Sequence, residues 1–256
     1  MKNIVVEGHR GFCAEFPENT LISFEAAIDL GVDCFEFDVW LSKDGVPVLS
    51  HDCLMRRTCK SEKCIVNMTL EEIKNELEPC YEDKFGDKFK GMGLKVPTLE
   101  ELLTLVKSKR PDMALGVEIK TLNKEHNEAC VDKTIELLKQ YGFFDDCWFY
   151  CFDAETVRYI KEKYNGRTMG YPQEQMKNWF DGAYDFYDEI GLSMAYVKSD
   201  QMDKYRAMNL PMHHYCADTL EDVLLCIENG ADLITANDPR PLMEHLNRKM
   251  GEIKYI

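Results

Sequence analysis

Histidines, carboxylates and cationic side chains recur in four short segments of the first half of the chain, and they could act together on a phosphate ester. These residues are His9 and Arg10 in VVEGHRG, Glu36 and Asp38 in CFEFDVW, His51 and Asp52 in VPVLSHD, and Glu118 and Lys120 in GVEIK. Three carboxylates favour a hard cation that prefers oxygen ligands, such as Mg²⁺ or Ca²⁺. A zinc site would draw more on cysteine and on several histidines.

The remaining polar residues could bind the phosphate and transfer protons, which a metal ion alone does not do. Arg10 and Lys120 are cationic donors that match a phosphate. His9 and His51 can accept and release protons near neutral pH. A metal site, a phosphate clamp and an acid/base pair together describe metal-assisted cleavage of a phosphate ester.

The elements that must position these residues alternate regularly between strand and helix. Strands are predicted at 3–7, 34–39, 114–120, 147–152, 168–171, 192–197, 211–217 and 232–236, each followed by a helical pattern, which between 173 and 191 is rich in aromatic residues. Eight such units in about 250 residues are typical of an α/β protein with a (β/α)₈ TIM barrel. An open doubly wound sheet is the alternative, but no GxGxxG motif follows the first strand.

Residues 42–97 interrupt this alternation after the second strand. They contain a Lys-Asp-Gly turn, a short strand that ends at His51 and one helical pattern at 70–77. We therefore predict one domain, residues 1–256, with an insertion at about 42–97. Since a strand-to-helix loop of a barrel lies on its C-terminal face, the insertion is expected to form a lid or substrate-binding subdomain.

The polar residues named above fall at or just beyond the C-terminal ends of the early strands. Glu36 and Asp38 are two residues apart and so share one face of a strand, as do Glu118 and Lys120. Each pair alone has an ordinary explanation, because a Glu-x-Asp pair often faces solvent. Their common position at one end of consecutive strands instead predicts a site at the barrel mouth. His213 and His214, in the seventh predicted strand, are not assigned to it.

Charge and composition exclude several classes of partner. Asp and Glu outnumber Lys and Arg by 46 to 31, for a formal net charge of −15. Such a chain is repelled by nucleic acids and by anionic bilayers, so neither is an expected partner. The N-terminal segment has no signal-peptide pattern, and the 11 cysteines lack paired spacing. We expect a cytoplasmic protein with reduced structural cysteines.

Several motifs resemble those of the glycerophosphodiester phosphodiesterase family. They are HRG at 9–11, PENT at 17–20, EFDVWLSKDGVPVLSHD at 36–52 and VEIK at 117–120, with weaker similarity in MTLEEI, VPTLEELL and GADLITANDP. The resemblance implies a barrel with a small insertion after strand two and a role in lipid and glycerol metabolism. It also implies metal-dependent hydrolysis of glycerophosphodiesters to an alcohol and sn-glycerol 3-phosphate.

The resemblance further implies a role for each residue. Glu36, Asp38 and Glu118 would be the metal ligands, His9 and His51 the acid/base pair, and Arg10 and Lys120 the phosphate ligands. Either histidine could be the acid, and the attacking hydroxyl could be water or the glycerol 2-OH.

Two segments depart from the family pattern. The family often has tryptophan followed by Thr-Val-Asn at the end of strand seven, where this chain has YCAD at 215–218. Tyr215 is predicted to supply a flat apolar wall for the glycerol or the leaving group. The family's closing TDRP is ANDP at 236–239. These departures leave the preferred alcohol undetermined.

Two other functions compete with this interpretation. A phospholipase C-like or sphingomyelinase D-like barrel also uses a histidine pair, but such enzymes work on bilayers, which suits a charge of −15 poorly. A non-catalytic barrel that binds phosphodiesters would be favoured by a missing histidine or carboxylate, and none is missing. The family includes dimers, so the aromatic segment 179–191 could form a homodimer interface or belong to the core.

Overall fold

The computed structural model describes residues 3–253, in which eight parallel strands close into a barrel. The strands are β1 (Val5–Gly8), β2 (Cys34–Leu41), β3 (Pro47–Leu49), β4 (Ala114–Ile119), β5 (Cys147–Tyr150), β6 (Arg167–Gly170), β7 (Glu189–Ser193), β8 (Met212–Tyr215) and β9 (Leu233–Ala236). Strand β1 pairs with both β2 and β9, which closes the ring, and β3 alone is antiparallel to its neighbour β2. The predicted (β/α)₈ barrel is confirmed.

The longer helices surround the barrel, and short ones occupy the loops. They are α1 (Leu21–Leu30), α2 (Arg56–Cys59), α3 (Leu70–Glu76), α4 (Glu82–Phe85), α5 (Leu99–Lys109), α6 (Lys124–Tyr141), α7 (Ala154–Tyr164), α8 (Met194–Val197), α9 (Met202–Arg206), α10 (Leu220–Glu228) and α11 (Arg240–His245). Helix α5 begins with the predicted capping box of Thr98 and Glu101. Helix α6 ends at Gly142, which has the left-handed conformation typical of a C-cap. No helix within residues 3–253 is both long enough and apolar enough to cross a membrane.

The predicted helical region at 173–191 and the predicted strand at 192–197 are wrong. Residues 173–188 form a loop with two short 3₁₀ turns, Gln173–Gln175 and Ala183–Phe186, and residues 189–191 belong to β7. Asn178 and Gly182 adopt positive φ angles of 48° and 87°, which a continuous α-helix does not allow. The strand begins earlier, at Glu189, because it pairs in register with β8, and Met194–Val197 form a helical turn.

The insertion between β2 and α5 packs around a small apolar cluster of its own. The side chains of Trp40 and Val48 meet those of Met55, Ile73 and others there, separately from the main core. The predicted helix at 70–77 is present as α3, Leu70–Glu76. The insertion is therefore a packed structure that extends the β2 edge beyond the barrel.

The interior of the barrel contains a buried polar network. The Tyr150 hydroxyl donates to Glu7 Oε1 at 2.8 Å, and the Thr235 hydroxyl donates to Glu7 Oε2 at 2.7 Å. His213 Nε2 lies 3.2 Å from the same carboxylate. Burial alone would raise the pKa of Glu7, but the charge of His213 and these hydrogen bonds lower it below its ordinary value.

Candidate active site

Three carboxylates converge at the C-terminal rim of the barrel. Glu36 and Asp38 lie in β2, and Glu118 lies in β4, where it is the register partner of Asp38. Each residue offers an oxygen atom within 4.8 Å of those of the other two. Within residues 3–253 this is the one cluster of at least three acidic, histidine or cysteine side chains arranged to hold a metal ion. The three predicted metal ligands are thus brought together.

Burial and mutual repulsion give these carboxylates unusual protonation behaviour. Glu36 is 4% exposed, and its Oε1 has no hydrogen-bond partner. Burial, together with the charges of Asp38 and Glu118, raises the pKa of Glu36 well above its ordinary value. Burial would also raise the pKa of Asp38, but the charges of Lys120 and Arg10 hold it well below its ordinary value. A cation among the three would relieve this repulsion.

Lys120 and Arg10 already interact with the cluster. Lys120 Nζ lies 2.6 Å from Glu118 Oε1 and 3.1 Å from Asp38 Oδ1. Arg10 Nε lies 3.3 Å from Asp38 Oδ2, and the Arg10 backbone N–H donates to Glu36 Oε2 at 3.0 Å. Both predicted phosphate ligands therefore border the carboxylates.

The His-Arg-Gly turn after β1 explains how Arg10 reaches this position. Arg10 and Gly11 have φ angles of 51° and 85°, so the chain turns through the left-handed region. A side chain at Gly11 would collide with Ser23, because a Cβ would lie 2.6 Å from its carbonyl carbon and its hydroxyl. The glycine thus lets the turn lie directly against helix α1.

His9 is held through its Nδ1 atom, which lies 2.7 Å from Asn237 Oδ1. The side chain and backbone N–H groups of Asn237 both donate to Asp218, at 2.7 and 2.6 Å. The amide oxygen of Asn237 therefore faces His9 as an acceptor. The other ring nitrogen, Nε2, lies 3.8 Å from Glu36 Oε2. Burial and the charge of Arg10 lower the pKa of His9 to about 4.

His51 reaches the rim two residues after the end of the short strand β3. Its Nδ1 lies 2.6 Å from Asp52 Oδ1, and its side chain is 36% exposed. Burial would raise the pKa of Asp52, but its contacts with Arg57 and His51 lower it. The charge of His51 contributes to the low pKa of Asp38, so the two side chains lie near each other. Its hydrogen bond, however, is made to Asp52 and not to the carboxylate cluster.

Tyr215 lies at the end of β8, on an aromatic surface beside the cluster. Its ring packs edge-on against Tyr171, with centroids 5.6 Å apart, and its hydroxyl lies 3.5 Å from Gln175 Oε1. Burial raises its pKa, and the charge of Glu118 contributes to the same shift. Tyr171 in turn stacks on Phe152 with centroids 3.6 Å apart.

Several residues of the site were not assigned from the sequence. Asn19 makes two hydrogen bonds to Asp38, one to its side chain and one to its backbone. Asn19 Nδ2 donates to Asp38 Oδ2 at 2.8 Å, and Asn19 Oδ1 accepts from the Asp38 backbone N–H at 3.2 Å. Glu18 accepts from Arg10 at 2.8 Å, and Asn237 orients His9. The motifs PENT and ANDP contain Glu18, Asn19 and Asn237, but their partners are far away in sequence. Of PENT, only Thr20 caps helix α1.

Comparisons with known proteins identify relatives over nearly the whole chain. Residues 9–240 match the sequence model of the Glycerophosphoryl diester phosphodiesterase family. A glycerophosphodiester phosphodiesterase from Caldanaerobacter subterraneus subsp. tengcongensis is 31% identical over 98% of this chain and 100% of its own length. One from Bacillus subtilis is 32% identical over 92% of this chain and 84% of its own length.

A solved structure has the same fold. A phosphodiesterase from Oleispira antarctica, in complex with the product sn-glycerol-3-phosphate, superposes with a TM-score of 0.81. The match covers 95% of this chain and 96% of the other at 23% identity.

Proposed function

The chain belongs to the glycerophosphoryl diester phosphodiesterase family, and we propose that it hydrolyses glycerophosphodiesters to an alcohol and sn-glycerol 3-phosphate with one divalent cation and two histidines. The observation that carries the proposal is the group of three carboxylates within 4.8 Å of one another, bordered by His9, Arg10 and Lys120. This combination of donors suits a phosphodiester and a hard cation.

Glu36, Asp38 and Glu118 are the proposed ligands of Mg²⁺ or Ca²⁺. All three offer oxygen, and Glu36 Oε1 is a buried acceptor without a partner, which a cation would satisfy. When bound, the ion would polarise the phosphoryl group and stabilise the charge that develops on it. Lys120 lies against two of the carboxylates and would share their charge with the ion.

Charge balance explains why a cation would be needed for a phosphate to bind. Arg10 and Lys120 are the proposed phosphate ligands, yet each is already paired with carboxylates, including Asp38 and Glu18. The carboxylates of the site outnumber these two cationic side chains. A divalent ion would offset that excess, so that the two side chains could donate to an anionic substrate.

The hydrogen bonds of His9 suit a general base. Because Asn237 Oδ1 can only accept, the proton of a neutral imidazole lies on Nδ1, and Nε2 has a free lone pair. The lowered pKa of about 4 keeps the ring neutral. We propose that Nε2 takes the proton of the attacking hydroxyl, either from water or from the glycerol 2-OH. Attack by the 2-OH would expel the alcohol and give a cyclic phosphate, which water would then open to sn-glycerol 3-phosphate.

The surroundings of His51 suit a general acid. Asp52 Oδ1 lies 2.6 Å from Nδ1 and can only accept, so Nε2 is the ring nitrogen that is left to face the leaving alcohol. The ring is also more exposed than His9, at 36% against 20%. We propose that Nε2 of His51 gives its proton to the oxygen of the leaving alcohol.

The insertion and Tyr215 are proposed to shape the substrate site. A cavity of about 290 Å³ lies between the β1–α1 loop and the insertion and is lined by His51 and by Phe16, Met55 and Phe85. We propose that residues 42–97 act as a lid and that this cavity receives the leaving alcohol. Tyr215 does not line this cavity, and its flat ring, near Glu118, would instead form an apolar wall for the glycerol.

The cysteines and the net charge are the basis for a proposal on location and partners. All eleven cysteines are free thiols, which fits a reducing compartment such as the cytoplasm. The charge of −15 argues against stable association with nucleic acids or anionic membranes. We propose a small-molecule glycerophosphodiester as the substrate.

Release of glycerol 3-phosphate from a panel of glycerophosphodiesters, with and without a chelator, tests the proposal. We expect release that stops with chelator and returns with added Mg²⁺ or Ca²⁺. No release with any divalent metal would contradict hydrolysis of these substrates. Release that persists in chelator after dialysis would contradict only the role of the cation.

A further inference from the structure

One arginine of the insertion joins two parts of the chain that are far apart in sequence. Arg57 lies on the short helix α2, and its guanidinium donates to Glu18 Oε2 and Oε1 at 2.6 and 2.8 Å. Its Nε donates to Asp52 Oδ2 at 2.8 Å. Glu18 belongs to the β1–α1 loop and Asp52 follows β3, so a single side chain ties the insertion to the barrel.

The same arrangement constrains His51. Asp52 uses Oδ2 for Arg57 and Oδ1 for His51 Nδ1, so both carboxylate oxygens have a partner. A carboxylate held on both sides has little freedom to rotate, and it fixes the orientation of the imidazole bonded to it. Glu18, the other carboxylate that Arg57 contacts, also accepts from Arg10, which in turn lies against Asp38. Charged contacts therefore run without a break from the carboxylate cluster to His51.

Contacts that do not involve the Arg57 guanidinium also anchor α2. The Cys80 N–H donates to Thr58 O at 2.7 Å, and Cys59 packs against the apolar cluster of the insertion. The Arg57 side chain is 51% exposed, and exposed ion pairs add little to the free energy of unfolding. Loss of Arg57 should therefore disturb the direction of His51 more than the stability of the fold.

We infer that Arg57 is a positioning residue that holds His51, through Asp52, in the orientation needed to protonate the leaving alcohol. The inference rests on the proposed function. The planar guanidinium donates three hydrogen bonds to the two carboxylates in a fixed geometry, whereas a lysine ammonium is a compact charge without that fixed fork. Arg57 also lines the cavity proposed for the leaving alcohol. A positioning role predicts a defect in turnover, whereas a direct contact with that alcohol would show itself in substrate binding.

Arg57→Gln tests the inference, with Arg56→Gln as its matched control. Arg56 is the preceding residue of the same helix and pairs with the exposed Glu62, so its loss removes an equal charge without touching Asp52. We would measure kcat and KM with glycerophosphoethanolamine and with the p-nitrophenyl ester of glycerol phosphate. The second leaving group departs as a stable anion and needs no proton.

Arg57→Gln should lower kcat roughly 10- to 100-fold with glycerophosphoethanolamine, the usual effect of a misplaced catalytic group, and leave KM within about twofold. The loss with the p-nitrophenyl ester should be less than about threefold. Arg57→Lys should resemble Arg57→Gln, and Arg56→Gln should resemble the parent protein. In ¹⁵N NMR spectra, the Nδ1–H signal of His51 should broaden in Arg57→Gln alone.

Three results would overturn the inference. Arg57→Gln could behave as Arg56→Gln does, it could raise KM with kcat unchanged, as a direct phosphate ligand would, or it could lose activity equally on both esters. A parent protein inactive on both esters would instead count against the proposed function. The His51 NMR signal would then still decide whether Arg57 orients the ring.

Discussion

Replacing Glu36 by glutamine should make the protein at least as stable without divalent ions, even though the residue is buried and central to the site. Glu36 shares a space with Asp38 and Glu118 in which the ligand oxygens lie within 4.8 Å of one another. Two unit charges at that separation repel by about 3.5 kcal/mol at an effective dielectric constant of 20. Lys120 and Arg10 offset part of this repulsion, and the raised pKa of Glu36 relieves another part by protonation. The neutral amide of a glutamine at this position removes the remaining repulsion.

The effect of added ions should be the reverse. An ion that binds only the folded protein stabilises it by about 2.7 kcal/mol at a concentration of 100 times Kd. For a chain of this size that corresponds to a rise in Tm of roughly 5–10 °C. Glu36→Gln loses one of three ligands and should show little or none of this rise.

Thermal unfolding followed by circular dichroism, in EDTA and then in increasing Mg²⁺ or Ca²⁺, measures both effects without an activity assay. Glu174→Gln is a suitable control, because Glu174 is exposed and its nearest cation is Lys204 at 3.9 Å. The reasoning would be refuted if Glu36→Gln kept the full ion-induced rise in Tm. A Tm in EDTA well below that of the parent protein would refute the repulsion argument.

Four further substitutions test other parts of the structure. His9→Ala and His51→Ala should each lower turnover about 10²-fold or more, measured as glycerol 3-phosphate release, and a variant near parent activity would rule out that residue as acid or base. Glu7→Gln should lower the free energy of unfolding at pH 7 by about 1–3 kcal/mol, because it weakens the buried network with His213. The pKa of Glu7 in the folded protein lies below its ordinary value of 4.5. The stabilisation by the Glu7 carboxylate is therefore fully present above pH 4.5 and is lost as the pH falls through the pKa of the folded state. Urea unfolding should show that the parent protein and Glu7→Gln differ less in free energy of unfolding at pH 3.5 than at pH 7. Gly116→Ala should cost about 1–3 kcal/mol in the same assay, because its Cβ would lie 2.5 Å from Glu7 Oε1, and an unchanged midpoint would contradict this.

The barrel and the centre of the site could be predicted because they depend on local patterns. Strand and helix periodicities specify the units, and parallel strands bring their C-terminal ends to one rim. Glu36 and Asp38 therefore had to lie near Glu118, which the register of β2 and β4 confirms. Asn19 also belongs to a motif, but its role depends on Asp38, which no local pattern links to it.

The errors and omissions have physical causes of a different kind. The segment 173–191 has helical composition, but residues with positive φ angles, such as Asn178 and Gly182, interrupt it. The contacts of Arg57 with Glu18 and of His9 with Asn237 join residues 39 and 228 positions apart. Such pairs form only once the barrel is closed, so sequence spacing does not indicate them.

The chain leaves strand β3 at Leu49 and returns to the barrel at Pro97, and these two points lie side by side, so the segment between them can be exchanged as a unit. Val48 bridges Thr98, and the Leu49 N–H donates to Pro97 O at 2.9 Å. The chain between these anchor points can therefore change length or content without altering the strand order of the ring, since longer loops cost little additional closure entropy. A segment grafted from a relative would carry its own His51 equivalent and cavity wall onto an unchanged set of carboxylates. Substrate range could thus diverge, in nature or by engineering, without redesign of the barrel.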